Sequence, residues 1–335
     1  MGNPEGVYIV GETRNTQISP ITLQLISKGR ELADALDEEL CVILIGHDLS
    51  HHSTQLTKYG FEKLYILDHP SLKDYHPEPY AKCLVELVNS LAPNIILFGQ
   101  TFFGRDIAPL IAGHLKCGLA TNCVDLTIDP TSKSLVHTRP VFGGNLRLNT
   151  VSNNSSPQMA TLKPNSAPLA THSPSREAII SIIPIEAQTI QPKVKIIERV
   201  VDPTDKDISL EEARIIVAGG LGVGGKEGFE LLHEMATVLG GTVGSSLPPV
   251  NAGLVPNSYH IGQTGKIVAP ELYFAVGISG QPQHLAGCEG SGAIVAINTD
   301  RDANIFSAAK FGVIGDFKEI VPAFTQRCRE LHILQ

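Results

Sequence analysis

The amino-acid sequence predicts an α/β protein built as two doubly wound domains. Three observations carry that prediction. In the first half, short continuous apolar runs alternate with amphipathic stretches, the pattern of a parallel sheet covered on both faces. The rhythm lapses after Leu115 into apolar–polar alternation and restarts at "ARIIVAGG". At 335 residues the chain is also long enough for two full cores.

The elements follow in order. "VYIVGE" (7–12) reads as the first strand, and "SPITLQLISKGRELADAL" as a helix opened by Ser-Pro. "LCVILIG" (40–46), "KLYILD" (63–68) and "NIILFGQ" (94–100) are further buried strands, with helices fitting between them. His51 and His52 precede a polar helix, a surface or capping position. "LVHTRPVFGG", "LRLNTVS" and "PQMATLK" alternate in polarity, which predicts antiparallel strands added to the sheet. "PNSAPLATHSPSRE" (164–177) reads as a loop, and the extended, then acidic "KVKIIERVVDPTDKDISLEEA" places a boundary near Asp205. The domains are therefore expected at 1–205 and 206–335. In the second, "ARIIVAGGLGVGGKEGFELLHEMATVLG" is strand, glycine turn and helix, with Phe229, Leu232, Met235 or Ala236, and Leu239 on the apolar face. "TVGSS" (242–246), "LYFAVGIS" (272–279), "AIVAIN" (293–298) and "GVIGD" (312–316) complete its strands.

Composition narrows the function. A net charge of −8 argues against a nucleic-acid partner, which needs a basic face. No apolar run reaches the roughly 20 residues that span a bilayer, so no membrane insertion is expected. The N-terminus enters a strand without a basic or apolar leader, and the expected location is cytoplasmic. Six scattered cysteines without a C-x-x-C pair give none of the common iron–sulfur or zinc spacings. They read as small buried apolar residues in a reducing compartment, and no metal site is expected.

The glycine turns carry the chemistry. "GQTGK" (262–266) is not a phosphate loop of the Walker type: His260 stands where its first Gly belongs, and Ile267 replaces the Ser or Thr after the Lys. Gly220, Gly222 and Gly225 satisfy G-x-G-x-x-G between a strand and a helix, which fits either a dinucleotide or tight packing alone. The acidic residue that a nicotinamide site wants about 20 positions on is missing, since Glu271 is the next acid after Glu234. "LYFAVGIS" ends in "GQPQHLAG", where Gly280 opens a turn into a helix whose amides can hold a pyrophosphate. "INTD", "GD" and the 262–264 loop end or precede neighbouring strands. A ligand touching that many strand ends is long, as a dinucleotide is.

These residues also carry a resemblance. "VNAGLVPNSYHIGQTGKIVAPELYFAVGISGQPQHLAG" resembles the FAD-binding signature of the electron-transfer flavoprotein alpha subunit, continued in "GAIVAINTDRDANIFSAAKFGVIGD". The first domain joins in through "HPEPYAKCLVELV", "FGQTFFGRDIAPLIA" and "TRPVFGGNLRLNTVS…PQMATLKP". The resemblance implies a nucleotide-hydrolase-like parallel sheet with added antiparallel strands, followed by a Rossmann-like FAD-binding domain. It implies that Thr264 reaches flavin N5 and that His284, near the pyrimidine carbonyl, supplies a positive charge favouring the reduced anion. Ser246, Gln263, Ser279, Gly280, Gln283, Asn298 and Asp316 fall on FAD-contacting positions, with Asp316 on a ribose hydroxyl. Ile261, Gly262, Gln281, Pro282 and Phe317 flank them in the same loops and join the expected cofactor contacts. So do Leu221 and Leu247, which replace two arginines of the family: "GGRG" is here Gly220-Leu221-Gly222, and "GASR" is "GSSL". Asn251 stands where the family often has Asp.

The implied role is that of an FAD-containing electron carrier, not an enzyme. Its partners would be a beta subunit forming a heterodimer, a flavin dehydrogenase such as an acyl-CoA dehydrogenase, and a quinone oxidoreductase or other acceptor. Alternatives are a flavin-bifurcating complex linked to NADH, a nicotinamide-dependent oxidoreductase, or a binding module without FAD.

Overall fold

The structure, a computed structural model, describes residues 4–14, 17–141, 146–152, 156–173, 178–186, 194, 196–198, 210–211 and 213–331. The chain divides into two compact units, Met1–Ile197 and Glu198–Gln335. The boundary expected near Asp205 lies outside the described residues.

In the first unit a seven-stranded sheet runs Ile179–Ile182, Lys63–Asp68, Leu40–Gly46, Val7–Val10, Ile95–Gly99, Gln158–Leu162, Leu119–Cys123. Every neighbouring pair is parallel. The period-2 alternation of a strand explains why both faces are covered. Val7 and Ile9 enter one core with Leu25 and Leu32 of helix Pro20–Leu36. Tyr8 and Val10 enter the other, with Leu84 of helix Pro77–Leu91 and Ile107 of helix Phe102–Leu115. Each such aliphatic side chain contributes about 1.5–3 kcal/mol by leaving water.

Two sequence expectations need correction here. Gln158–Leu162, read as an added antiparallel strand, instead inserts between Ile95–Gly99 and Leu119–Cys123, parallel to both and wholly buried. Its alternate polar residues are satisfied inside: the Gln158 Oε1 accepts from the Leu135 amide at 2.7 Å, and the Thr161 Oγ1 accepts from the Asn122 amide at 2.9 Å. Polar alternation therefore marked internal hydrogen bonding, not a wet face. The other two alternating runs, Leu135–Val141 and Leu146–Val151, are antiparallel as expected, but they form a separate three-stranded sheet instead of extending the main one, with Leu135–Val141 between Leu146–Val151 and Asp125–Ile128. The second correction concerns His51 and His52, which lie inside helix Ser50–Leu56; His51 accepts from Gln55 at 3.0 Å, and His52 is buried.

The second unit holds a five-stranded parallel sheet in the order Thr242–Ser245, Ile215–Gly219, Leu272–Val276, Ala293–Asn298, Phe311–Ile314. Helices Lys226–Val238 and Phe317–Glu330 cover one face, where Phe229, Leu232, Met235 and Val321 meet Val217 and Phe274. Helix Pro282–Cys288, with Ile261, Ile278 and Ile305, covers the other against Ile216, Tyr273 and Ala275. All six cysteines are free, and five are buried. No helix among the described residues is long and apolar enough to cross a membrane.

Candidate functional site

The second strand of this sheet, Thr242–Ser245, lies on one side of the first, Ile215–Gly219, while the third, Leu272–Val276, lies on the other. Connections leaving in opposite directions open a crevice at the carboxyl ends of those strands. Two glycine loops meet there. The Gly220 amide donates to the Val276 carbonyl at 2.8 Å and the Gly222 amide to the Gly277 carbonyl at 3.2 Å. A Cβ on Gly220 would sit 2.1 Å from the Gly277 carbonyl oxygen, and Gly277 itself takes a φ of 59°. The G-x-G part of the motif thus serves backbone-on-backbone packing.

The remaining loops are tied to this pair one after another. The Ser246 amide donates to the Gly219 carbonyl at 3.1 Å, and the Ile261 amide to the Ser245 carbonyl at 2.8 Å. The Gln263 amide donates to the Gln283 carbonyl at 2.7 Å, joining the 260–266 turn to helix Pro282–Cys288. Asn298 spends its side chain on the scaffold: Nδ2 donates to the Ile278 carbonyl at 2.9 Å, and Oδ1 accepts from the Asp300 amide at 3.0 Å. Gly280 has a φ of 84°, and a Cβ there would lie 2.2 Å from the Ile305 nitrogen. Ser246, Ile261, Gly262 and Gly280 are buried framework, whereas Gln263, Thr264, Ser279, Gln281, Pro282 and Gln283 are exposed. The amides of Ser279, Gly280 and Gln281 donate to no backbone carbonyl among the described residues. Three consecutive uncommitted donors at a strand end fit a pyrophosphate, and the exposed hydroxyls and amides around them fit the rest of a dinucleotide.

Some expected contacts stand apart. Asp316 follows the edge strand by two residues, and its carboxylate caps helix Phe317–Glu330 by accepting from the Lys318 amide at 2.9 Å. Phe317 is core, packed with Phe274 and Ile297, so its ring is not available to a ligand. Leu221 and Leu247 are 57% and 41% exposed, each at the first residue of a short helical turn after a strand. Apolar side chains stand where the family resemblance leads to cations.

His284 turns into the scaffold. Its ring is buried; Nδ1 donates to the Ile261 carbonyl at 3.0 Å, and Nε2 accepts from the Tyr273 hydroxyl at 3.0 Å. Burial drives its pKa down to about 4, only partly opposed by the Ile261 carbonyl. Burial disfavours a charge on this imidazole, and its two hydrogen bonds clamp the 261–264 loop onto the sheet. Sequence reasoning missed Tyr273, its buried partner. The signal was available: Tyr273 shares the strand face of Ala275, opposite to Phe274.

A pH dependence follows. With an ordinary pKa near 6.5 unfolded and about 4 folded, His284 takes up protons first in the unfolded chain. Its contribution is present above the unfolded value and is lost as pH falls through that window. Between pH 7 and pH 5 the loss amounts to about 2 kcal/mol. Urea unfolding should show the parent losing about that much more than His284→Gln; equal losses would mean a charged ring in the folded state.

Comparison with known proteins bears on this site directly. The family model described as the electron transfer flavoprotein domain matches residues 7–187, and that of the electron transfer flavoprotein FAD-binding domain matches 209–289. An electron transfer flavoprotein subunit alpha of Thermoanaerobacterium thermosaccharolyticum is 38% identical over 331 residues, 99% of this chain and 100% of the relative. The chain belongs to the electron transfer flavoprotein alpha subunit family. The subunit alpha of Clostridium acetobutylicum is 39% identical, covering 95% of each chain, and the protein FixB of Azorhizobium caulinodans is 39% identical over 96% of this chain and 88% of its own. Electron transfer flavoproteins carry electrons and are not enzymes, and the cofactor is FAD.

Proposed function

We propose that this chain is the FAD-holding subunit of a heterodimeric electron transfer flavoprotein, completed by a beta subunit and working in the cytoplasm. It receives electrons from a flavin dehydrogenase, such as an acyl-CoA dehydrogenase, and passes them to a quinone oxidoreductase or another acceptor. The observation that carries this reading is the convergence of the loops at 219–222, 245–246, 261–264 and 277–284 at the carboxyl ends of the second unit's strands. When bound, FAD supplies a ring that stores and releases electrons.

The chain's own residues have separable tasks in this proposal. The Ser279, Gly280 and Gln281 amides receive the pyrophosphate without needing a cation. Asn298 holds the 278 loop in place beneath them. Ser246 packs beside the ring-side loops, and Gln263 and Gln283 offer side-chain amides from the two segments that their backbones join. The remaining Asp316 oxygen accepts from a ribose hydroxyl. Thr264 places its hydroxyl at flavin N5. The second reading with NADH-linked bifurcation places its distinguishing site on the partner and leaves these tasks unchanged.

The test uses the full chain purified with its beta partner. Extracted cofactor should be FAD, and a colourless complex that takes up none would defeat the assignment. Thr264→Ala removes the hydroxyl while the loop keeps its backbone bonds, Gly265 amide to Gly262 carbonyl at 3.0 Å and Lys266 amide to His260 carbonyl at 2.8 Å. One such hydrogen bond is worth about 1 kcal/mol, roughly 20 mV on a two-electron couple. The potential should shift by that order with FAD retained; an unmoved potential places the hydroxyl elsewhere.

A further inference from the structure

Two buried histidines meet the turn that carries Thr264, and they are bonded differently. His284 has both ring nitrogens committed, to the Ile261 carbonyl and the Tyr273 hydroxyl. His260 is only 6% exposed. Its backbone closes the turn: the His260 amide donates to the Asn257 carbonyl at 3.0 Å, and its carbonyl accepts from the Lys266 amide at 2.8 Å. Its ring lies against both glycines of that turn. A Cβ on Gly262 would stand 3.2 Å from Nε2, and one on Gly265 would stand 2.6 Å from Nδ1. Neither ring nitrogen has a hydrogen-bond partner among the described residues. Neither is sealed from solvent, unlike the unpartnered ring nitrogens of His52 and His137.

We propose that His260 takes up a proton when the flavin takes up an electron, so that this chain compensates part of the arriving charge. The inference rests on the placement of the flavin against the 261–264 turn. The electron comes from the carrier's donor, the proton comes from solvent to the free ring nitrogen, and no other bond is made or broken. His284 is less suited to this task, because a second proton on its Nε2 must displace the Tyr273 hydroxyl donor. A proton on His260 displaces no hydrogen bond among the described residues. Leaving a buried polar ring without a partner costs about 1–3 kcal/mol. An aliphatic side chain would pack against the two glycines without that cost, so packing alone does not account for an imidazole.

The surroundings leave the ring with a proton still to gain at neutral pH. Burial holds its proton affinity below the usual histidine range, and no carboxylate among the described residues raises it again. The titratable groups around it are His284 from helix Pro282–Cys288, Lys266 from its own turn, and Tyr259 beside it. Tyr259 packs in turn on His233 of helix Lys226–Val238, with centroids 5.8 Å apart. Strand Thr242–Ser245 meets the His260 backbone through Ser245 and brings no charge. A new negative charge one backbone turn away raises a proton affinity about tenfold at the effective dielectric of a protein surface. Because the reduced state then binds the proton more tightly, acid favours reduction. The tenfold change makes the one-electron potential about 59 mV higher on the acid plateau than on the alkaline one. The change falls on the acid side of neutrality, where the lowered affinity of His260 places it.

The test takes the heterodimer with FAD bound and measures its potential by spectroelectrochemistry between about pH 5 and pH 8. The parent should show the fall of about 59 mV, and His260→Gln, polar but unable to take the proton, should be flat. In parallel, the histidine Cε1 proton resonances are titrated in the oxidised and the fully reduced heterodimer. The resonance missing from His260→Gln should move its midpoint upward by about one pH unit on reduction. A parent potential independent of pH overturns the proposal, as does a slope that His260→Gln retains, which assigns the proton to another group. Should the glutamine variant fail to fold, the parent spectra decide: no histidine midpoint moving on reduction is also an overturning result. Thr264→Ala separates this inference from the reading beneath it. A potential shift equal at every pH, beside a flat parent, supports the flavin placement and defeats the proton alone. An unmoved potential in Thr264→Ala defeats that placement and this inference together.

Discussion

Gly220→Ala is expected to lower the unfolding midpoint of the second unit by roughly 10 °C and to strip the chain of FAD. The new Cβ would stand 2.1 Å from the Gly277 carbonyl oxygen and 2.7 Å from its carbon. Both are backbone atoms, so no side chain can rotate away. One of the two loops must move, and overpacking without relief costs about 3 kcal/mol. Moving either loop also breaks the Gly220 amide bond to Val276 that sets the crevice. The φ of Gly220 is −98°, so alanine tolerates the conformation and the effect isolates the contact. Gly113→Ala, in a helix of the first unit, is the contrasting case: a Cβ there meets nothing within 4 Å, so the second unit's midpoint should stay put while helix propensity raises the first unit's stability by about 0.5 kcal/mol. If Gly220→Ala melted like the parent with FAD in place, the two loops would not abut as described.

Leu247→Arg should raise the potential of the first electron by about 40–170 mV. One charge at close range is worth roughly 1–4 kcal/mol between the dielectrics of water and a protein surface, and a one-electron couple converts 1.4 kcal/mol into about 59 mV. The substitution asks little of the fold, because Leu247 is already 41% exposed and begins a five-residue helix. Burial holds down the charge of His284, which limits its competition with the new cation. The expected shift therefore survives across the pH range where the ring stays uncharged, and salt should reduce it. Leu247→Met, equally long and uncharged, should leave the potential near the parent value. An arginine variant with full FAD and an unmoved potential would place residue 247 away from the ring.

The parallel architecture was legible because apolar runs buried on both faces look like nothing else. Leu40–Gly46, Lys63–Asp68 and Ala293–Asn298 coincide with their runs residue for residue. Helix Lys226–Val238 buries Phe229, Leu232, Met235 and Ala236, as its periodicity predicts. What misled was polarity without partners in view. Gln158 and Thr161 read as outward-facing until the amides of Leu135 and Asn122 supply their hydrogen bonds. The enclosure of His284 was hidden for the same reason, because neither Tyr273 nor the Ile261 carbonyl is its neighbour in sequence. Gly277, whose φ of 59° lets the loops meet, was one glycine among many.

The place of Gln158–Leu162 in the first sheet has a consequence for how the chain is made. Leu119–Cys123 reaches the sheet only through that strand, and the opposite edge is closed by Ile179–Ile182. A ribosome delivers Ile95–Gly99 some sixty residues before the strand that must cover it. During that interval the nascent chain presents an open, fully apolar strand edge, the surface on which unfinished sheets find wrong partners. Vectorial synthesis thus leaves the first unit dependent on its last strands, and chaperone capture should be concentrated in that stretch of translation.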